Sequence, residues 1–560
     1  MNFLQNMKDI IITEINKALD KAQKDGSLPS VEPFNFNVEI PKEESFGDFS
    51  SNAAMMGAKV YRKAPPIIAK IIAEHIEPNK YIDSVTAAGG FVNFAVSKFY
   101  CSEVVEYICK NGSEYGKSDI GNGKKVMVEY VSANPTGMMH MGNARGGALG
   151  DCLATVLCFM GYDVIREFYI NDAGNQIDKF KESLNARYLQ LYKGEDFILF
   201  PEDGYHGEDI KERVKEFADI NGDKYVECNY DERAQALVDY ALPKNLNIIK
   251  KDLKRYKADF DIWFYESQLH ESGAVDKIIK QLTDKGYTFT KDGALWYKAT
   301  EFGAEKDEVL IRNNGNPTYF AADIAYHINK FVDRGFDKVI DIWGADHHGH
   351  VARLKGALSA LDLDSDKLDI IIMQLVNLIQ NGEAVKMSKR TGKSIMLSDL
   401  LDITNIDAAR FFFNLRKADT HFDFDLDLSI AKTNQNPVYY VQYAHARICS
   451  IIAMLESSNI STEYKDCDLT LFKEKSEVSL IKQLSAFTDE LIHATVDYDI
   501  SRITKYTIDL ATTFHSFYNE CRVKCDDENL MYARIALIKA VKTVLKTALG
   551  ILKVEAPEKM

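Results

Sequence analysis

The sequence predicts an α/β protein: a parallel-sheet domain preceded by a small α+β unit and followed by an all-α bundle. Three observations predict it. From Lys125 the pattern runs strand, loop, helix, strand. Val126, Met127, Val128, Tyr130 and Val131 make the nearly continuous apolar run of a buried parallel strand. Leu149, Leu153, Val156 and Met160 then repeat at helical spacing, Gly161 stops the helix, and Val164 to Ile170 is the next strand. That βαβ unit calls for a parallel sheet. Second, Val339-Ile340-Asp341-Ile342-Trp343 resumes the strand pattern much later in the chain. Third, from Leu401 onward the pattern is helical to the end, without strands or glycine-rich loops, as in a helical bundle.

Each part follows in order. Ile10, Ile11, Ile15 and Leu19 mark an opening amphipathic helix, and Phe36 to Ile40 a strand. Ser45-Phe46-Gly47-Asp48-Phe49 precedes a helix whose end carries Lys59, Arg62 and Lys63, a solvated basic end beside Pro65-Pro66. Residues 1–110 form this first domain. Asn111 to Lys124 is polar, carries four glycines and reads as a linker. The α/β domain is assigned 111–400, with a charged, helical insertion at about 172–299. The helical domain is assigned 401–560.

The composition sets outer limits. At 560 residues the chain holds three or four domains of roughly 150 residues each. Its 46% hydrophobic and 27% charged residues are those of a globular protein, not a disordered or fibrous one. A net charge of -15 argues against a passive nucleic-acid coat, though local patches decide any RNA contact. No apolar run approaches the ~20 residues of a membrane helix, and the N-terminus lacks a signal-peptide layout. The nine cysteines are scattered. The closest pair, Cys521 and Cys525, falls in a helical stretch, so reduced thiols in a cytoplasmic protein are expected.

Two segments carry the chemistry. Ser132-Ala133-Asn134-Pro135-Thr136-Gly137-Met138-Met139-His140-Met141-Gly142-Asn143 lies at the carboxyl end of a parallel strand and opens a helix. Open α/β sheets bind ligands there, and a helix N-terminus favours phosphate. His140 and Asn143 share a face as donors, and Gly142 lets a ligand approach the backbone. The second segment follows a tight hairpin at Gln380-Asn381-Gly382-Glu383 and runs Lys386-Met387-Ser388-Lys389-Arg390-Thr391-Gly392-Lys393. Alone, its four cations could be a solvated surface. Paired with the His140 loop they form a clamp for charge developing on a phosphate chain.

The His140 and Lys386 segments resemble the HIGH and KMSKS signatures of class I aminoacyl-tRNA synthetases, which have a Rossmann-like catalytic domain. The string Glu129-Tyr130-Val131-Ser132-Ala133-Asn134-Pro135-Thr136-Gly137 is similar to the arginyl-tRNA synthetase form in particular. So are Phe46-Gly47-Asp48-Phe49 with Asn52, Tyr319 to His327, and the closing Ala556 to Met560. Asn143 stands where the signature usually has a second histidine, which retains a donor. Arg390 replaces the last serine.

A guanidinium is planar, always charged and best met by carboxylates, and Tyr319 and Asp323 point together from one helix face. The resemblance implies that Asp323 and Glu129 receive it with Tyr319 alongside. It also implies that Asn134 and Ser132 hold the α-amino and carboxylate end, with His347 nearby where the family often has a glutamine. Gly344-Ala345-Asp346-His347-His348-Gly349-His350 follows a strand end. Its three histidines invite a zinc reading, but it offers no thiolate and no clear fourth ligand. Contact from Gly344 and Asp346 to the ATP ribose and adenine is expected instead, and no resident metal. His140, Gly142, Asn143, Lys386, Met387, Ser388 and Lys389 are expected on the phosphates.

The resulting expectation is an arginine–tRNA ligase that uses ATP with Mg²⁺ and acts as a monomer. The rivals are a small-molecule adenylyltransferase, which would not need the flanking domains, and a non-catalytic tRNA-binding relative, which would not need His140, Lys386 and Lys389. In the helical domain Tyr439, Tyr443 and Arg447 offer aromatic faces and a cation to unstacked tRNA bases; the alternative is that the tyrosines are helix core. From Asn436 to Met560 there are 15 basic and 17 acidic residues, a net of -2, so RNA approach is less opposed there than elsewhere.

Overall fold

The computed structural model describes residues 1–385, 395–465 and 467–560. In the first domain the helix Phe3–Lys24 buries Phe3, Met7, Ile11, Ile15 and Leu19 on one stripe. It covers an antiparallel sheet of β1 (Val38–Glu39), β2 (Phe49–Ser51), β3 (Ile82–Ala88) and β4 (Phe91–Val96), in the order β1-β2-β4-β3. The Phe46-Gly47-Asp48-Phe49 string has a structural use. Gly47 has φ +86°, and a Cβ there would lie 2.7 Å from the Phe94 carbonyl oxygen, while Asp48 Oδ2 accepts the Val96 N–H at 2.7 Å.

The central sheet is fully parallel. Its strands are β5 (Lys125–Glu129), β6 (Asp163–Ile170), β7 (Ile262–Tyr265), β11 (Lys338–Gly344) and β12 (Leu368–Met373), in the order β12-β11-β5-β6-β7. The expected βαβ unit is β5, the helix Met141–Phe159 and β6. That helix is buried along most of its length and rich in Gly and Ala, which lets it press on the sheet. At Gly150 a Cβ would sit 2.2 Å from the Tyr130 ring, so only glycine fits.

Three expectations need correction. The insertion is mostly helical, through Asn175–Lys193, Glu208–Asn221, Tyr230–Arg255, Ser267–Glu271 and Ala274–Asp284, but it also carries strands. Ile262–Tyr265 then returns to the central sheet as its edge strand, and β8 (Thr288–Lys291), β9 (Ala294–Tyr297) and β10 (Glu308–Ile311) form a separate antiparallel sheet. The stretch beyond Leu401 is not free of strands: β15 (Phe422–Asp425) pairs in parallel with β13 (Val376–Gln380). The 111–124 segment is no loose linker. Tyr115 is buried and its hydroxyl donates to the Leu484 carbonyl at 2.7 Å, anchoring it to the C-terminal bundle.

The hairpin at Asn381-Gly382 is present between β13 and β14 (Glu383–Ala384), with positive φ at both turn residues. The bundle comprises helices Pro437–Ser457, Lys475–Ser485, Phe487–Val496, Ser501–Glu520 and Glu528–Ile551. Cys521 ends a helix and Cys525 lies in the loop after it, correcting their assignment to a helical stretch. No disulfide joins cysteines among the described residues.

Candidate active site

The strand β5 ends at Glu129, and the chain then turns through two non-glycine residues with positive φ, Val131 at 67° and Ser132 at 39°. Such backbone costs about 1–3 kcal/mol per residue and persists where surrounding contacts hold it. Here the Ser132 hydroxyl donates to Glu129 Oε1 at 2.8 Å and accepts the Tyr169 N–H at 3.1 Å. The strained turn thus locks the loop to the carboxyl ends of β5 and β6.

Beyond it opens a cavity of about 680 Å³, lined by Ser132, Asn134, His140, Gly142, Asn143, Gly344, Asp346 and His347 among others. Eight of the expected ligand-contacting residues therefore meet at one cleft. His140 caps the helix Met141–Phe159, and its N–H donates to Asn143 Oδ1 at 3.1 Å, leaving the Asn143 NH₂ free to donate outward. Asn134 Nδ2 donates to Gln176 Oε1 at 3.1 Å, so the insertion supplies a wall of the cleft that the sequence did not reveal.

Lys386, Met387, Ser388 and Lys389 lie outside the described residues. The chain that follows them is tied to the His140 loop. The Met141 N–H donates to the Ile395 carbonyl at 3.0 Å, and the Leu397 N–H to the Met139 carbonyl at 2.9 Å. Met396 pairs with His140 as an isolated antiparallel bridge and lines the cleft.

Tyr319 and Asp323 share the helix Tyr319–Ile328, as expected. Tyr319 accepts the Gln176 N–H at 3.0 Å through its hydroxyl. Asp323 Oδ2 lies 2.7 Å from His350 Nε2, a partner the sequence did not single out. Glu129 is buried and already engaged: Oε2 takes Lys330 Nζ at 2.7 Å and the Tyr326 hydroxyl at 2.9 Å. Lys330 also reaches Asp341 Oδ1 at 2.9 Å. Burial opposes the Lys330 charge, but Asp341, Glu129 and Glu167 more than offset that and raise its pKa. Burial pushes the Glu129 carboxyl up despite Lys330, and its Oε1, which accepts the Ser132 hydroxyl, keeps a second lone pair.

In the C-terminal bundle Tyr439 and Tyr443 stack with centroids 6.2 Å apart and planes 6° apart. The Arg447 guanidinium lies 4.6 Å from the Tyr443 and Tyr518 rings and donates to the Tyr443 hydroxyl at 2.5 Å. His515 joins the stack, its pKa driven down to about 4 by burial and the Arg447 charge. Tyr439 and Tyr443 are half-buried, not core, and line a cavity of about 530 Å³ with Lys432, Asn434 and Asn519.

Three family models match the chain: "Arginyl tRNA synthetase N terminal domain" over residues 9–96, "tRNA synthetases class I (R), catalytic domain" over 104–420, and "DALR anticodon binding domain" over 441–560. An arginine–tRNA ligase of Acetivibrio thermocellus is 54% identical over the full length of both chains, and one of Caldanaerobacter subterraneus subsp. tengcongensis 56%. The chain belongs to the arginyl-tRNA synthetase family. A crystal structure of an arginyl-tRNA synthetase from Campylobacter jejuni is 34% identical, with a TM-score of 0.74, covering 83% of this chain and 100% of that one. The Thermus thermophilus arginyl-tRNA synthetase, at 21% identity and a TM-score of 0.72, shares the fold over 97% of this chain and 99% of its own.

Gln176 was not singled out from the sequence, and His350 was read only as one of three histidines in a zinc-like segment.

Proposed function

We propose that the chain activates L-arginine with ATP and transfers it to its tRNA. The arginine carboxylate attacks the α-phosphorus in line, pyrophosphate leaves, and arginyl-adenylate forms. A ribose hydroxyl at the tRNA 3′ end then attacks the activated carbonyl, releasing AMP. No side chain need become a covalent nucleophile, so the work is positioning and charge stabilisation. His140 and the Asn143 NH₂ donate to phosphate oxygens, while Lys386 and Lys389 close on the departing pyrophosphate. Gly344 and Asp346 meet the adenosine, and Ser132, Asn134 and His347 the α-amino and carboxylate end. Asp323, Tyr319 and the spare Glu129 lone pair face the guanidinium.

The observation that carries this reading is the pair of backbone hydrogen bonds joining residues 395–397 to the His140 loop at the cleft. They seat the chain that follows Lys386 and Lys389 beside the His140 loop, which supports a phosphate role for those lysines. Mg²⁺ is proposed to enter on ATP, whose phosphate oxygens are the hard ligands it prefers; Asp346, highly exposed at the cleft, can meet its hydration shell. The stacked Tyr439 and Tyr443 with Arg447 are proposed to read unpaired bases of the anticodon arm. Action as a monomer in the cytoplasm completes the proposal; among the described residues no helix is long and apolar enough to cross a membrane.

The test is ATP–pyrophosphate exchange with each amino acid in turn, with and without tRNA. Exchange with arginine alone, dependent on tRNA, is expected. Exchange supported by another amino acid, or none with arginine, would overturn the reading.

A further inference from the structure

Arg145 sits near the start of the helix Met141–Phe159 and is completely buried. Buried Arg410, Arg213 and Arg534 each pair with an acid, Asp151, Glu216 and Glu477 respectively. No carboxylate pairs with Arg145 among the described residues. Its guanidinium meets main-chain oxygens instead: Nη1 donates to the Gln374 carbonyl at 2.9 Å and Nη2 to the Lys417 carbonyl at 2.7 Å. Arg233 also lacks an acid, but its carbonyl partners lie within 8 residues of it and serve its own part of the insertion. Those of Arg145 lie 229 and 272 positions away, so it joins remote parts of the chain.

The parts it joins border the cleft. Gln374 belongs to the connection between β12 and β13, and Met373, Gln374, Leu375 and Val376 line the cleft beside Gly146. Leu375 is 72% exposed there, an apolar surface that no other part of the protein covers. Lys417 lies in the loop ahead of β15, and the Gln374 N–H donates to the neighbouring Ala418 carbonyl at 2.9 Å. The Phe422 ring, at the start of β15, lies 5.7 Å from the guanidinium. β13 then runs on to the Asn381-Gly382 hairpin, so this one side chain also fixes the root of the hairpin that precedes Lys386 in the chain. A planar fork can serve two separate carbonyls at once, which an ammonium on a flexible stem does poorly. Burial pulls the Arg145 pKa down to about 10, with the Asp419 charge opposing, so it stays a cation at neutral pH. A buried cation without an acid is costly, and an anion bound in the adjoining cleft offsets that cost.

Resting on the proposed function, we infer that Arg145 is a positioning residue for ATP, holding the Met373–Val376 wall of the cleft against the helix that begins after His140. It acts through the Gln374 and Lys417 carbonyls. Without it both carbonyls lose a donor in a buried setting, and the wall and the helix start are free to drift apart. The effect is confined to the nucleotide, because Tyr319 and Asp323 stand on a different helix, Tyr319–Ile328, that Arg145 does not bond.

The experiment measures KM for ATP, KM for arginine and kcat in pyrophosphate exchange with saturating tRNA, for full-length wild type, Arg145→Met and Arg145→Lys, with a melting curve of each. Arg145→Met is expected to raise KM for ATP about 10- to 100-fold and to leave KM for arginine within about twofold, since small displacements of a binding wall cost up to about 10². Arg145→Lys keeps the charge but serves one carbonyl at a time, so it should recover only part of the loss. A destabilised Arg145→Met with the wild-type KM for ATP, or with equal rises for ATP and arginine, would overturn the inference in favour of a purely structural role. Should Arg145→Met fail to fold, Arg145→Lys decides, since a KM for ATP equal to that of wild type overturns it as well. Wild-type protein without arginine-dependent exchange would sink the proposed function; an active wild type with an indifferent Arg145→Met would sink only this assignment.

Discussion

Replacing Arg410 by Met should destabilise the protein by about 3–5 kcal/mol, the cost of breaking a buried ion pair from one side. Arg410 is completely buried and joins three parts of the chain. It donates to Leu552 O at 3.0 Å, Tyr256 O at 3.0 Å, Lys257 O at 3.2 Å and Asp151 Oδ2 at 2.5 Å. Asp151 lies on the helix that starts after His140, Tyr256 and Lys257 follow the insertion helix Tyr230–Arg255, and Leu552 caps the last helix of the C-terminal bundle. Without the guanidinium, buried Asp151 keeps only Arg166, whose Nε is 3.6 Å from Oδ1. Three carbonyls lose donors as well, each worth about 1 kcal/mol where water cannot replace them. At about 2–4 °C per kcal/mol, the melting temperature should fall by roughly 10 °C. Circular dichroism at one fixed scan rate measures it. The discriminating control is Arg410→Met with Asp151→Asn, which removes the stranded charge and should recover much of the loss. A single variant melting within about 2 °C of wild type, or a double variant no better than the single, would refute the reasoning.

Lys386→Ala and Lys389→Ala should each slow adenylate formation by about 10²–10³ in a pre-steady-state assay while arginine binding stays nearly unchanged, because the clamp meets charge that develops only as pyrophosphate leaves; equal losses in both would count against it. Asp323→Asn should weaken arginine use about 10²-fold with ATP use intact, read as a split between the two KM values; a normal arginine KM would dismiss the carboxylate role. Tyr443→Ala should weaken tRNA binding roughly tenfold or more, since base–aromatic stacking is worth about 1–3 kcal/mol, without altering the exchange rate at saturating tRNA; unchanged tRNA affinity in a filter-binding assay would show that the tyrosine only packs.

The parts of the fold legible in the sequence were those whose signal is local. The β5–helix–β6 unit shows itself because a buried parallel strand reads as an unbroken apolar run and a buried helix as small residues at helical spacing. β7 escaped because four residues between charged helices are too few to stand out, though Trp263 and its neighbours were there to see. β15 escaped for the opposite reason: Phe422-Asp423-Phe424-Asp425 alternates at the strand period, but it follows a helix and was absorbed into the bundle. The cleft residues on the strand-end loops were legible because one segment holds them. Partners brought in from afar were not: Lys330 meets Glu129 across 201 positions, and Gln176 meets Asn134 across 42.

Those distant partners explain how an acidic protein can present a pocket for a cation. Under the sheet edge, Lys330 pairs with Glu129 and Asp341 and Arg334 with Glu167, and the Tyr326 hydroxyl lies within hydrogen-bond reach of Glu129 and Glu167. Burial alone would oppose the Asp341 charge, but Lys330 and His327 pull its pKa below the ordinary value, while burial raises that of Glu129. Had these acids been left unpaired, they would have taken up protons or drawn in any available cation. With them engaged, Asp323, held by His350 Nε2 at 2.7 Å and still partly exposed, is the acid left for the proposed guanidinium contact. A neutral isostere such as citrulline would forfeit the charge-assisted contact proposed for Asp323, and sites built to hydrogen-bond a substrate group discriminate by about 10⁴–10⁵. Selectivity on that scale makes a second, editing site unnecessary, and it follows from where the internal cations were placed as much as from the residues that touch arginine.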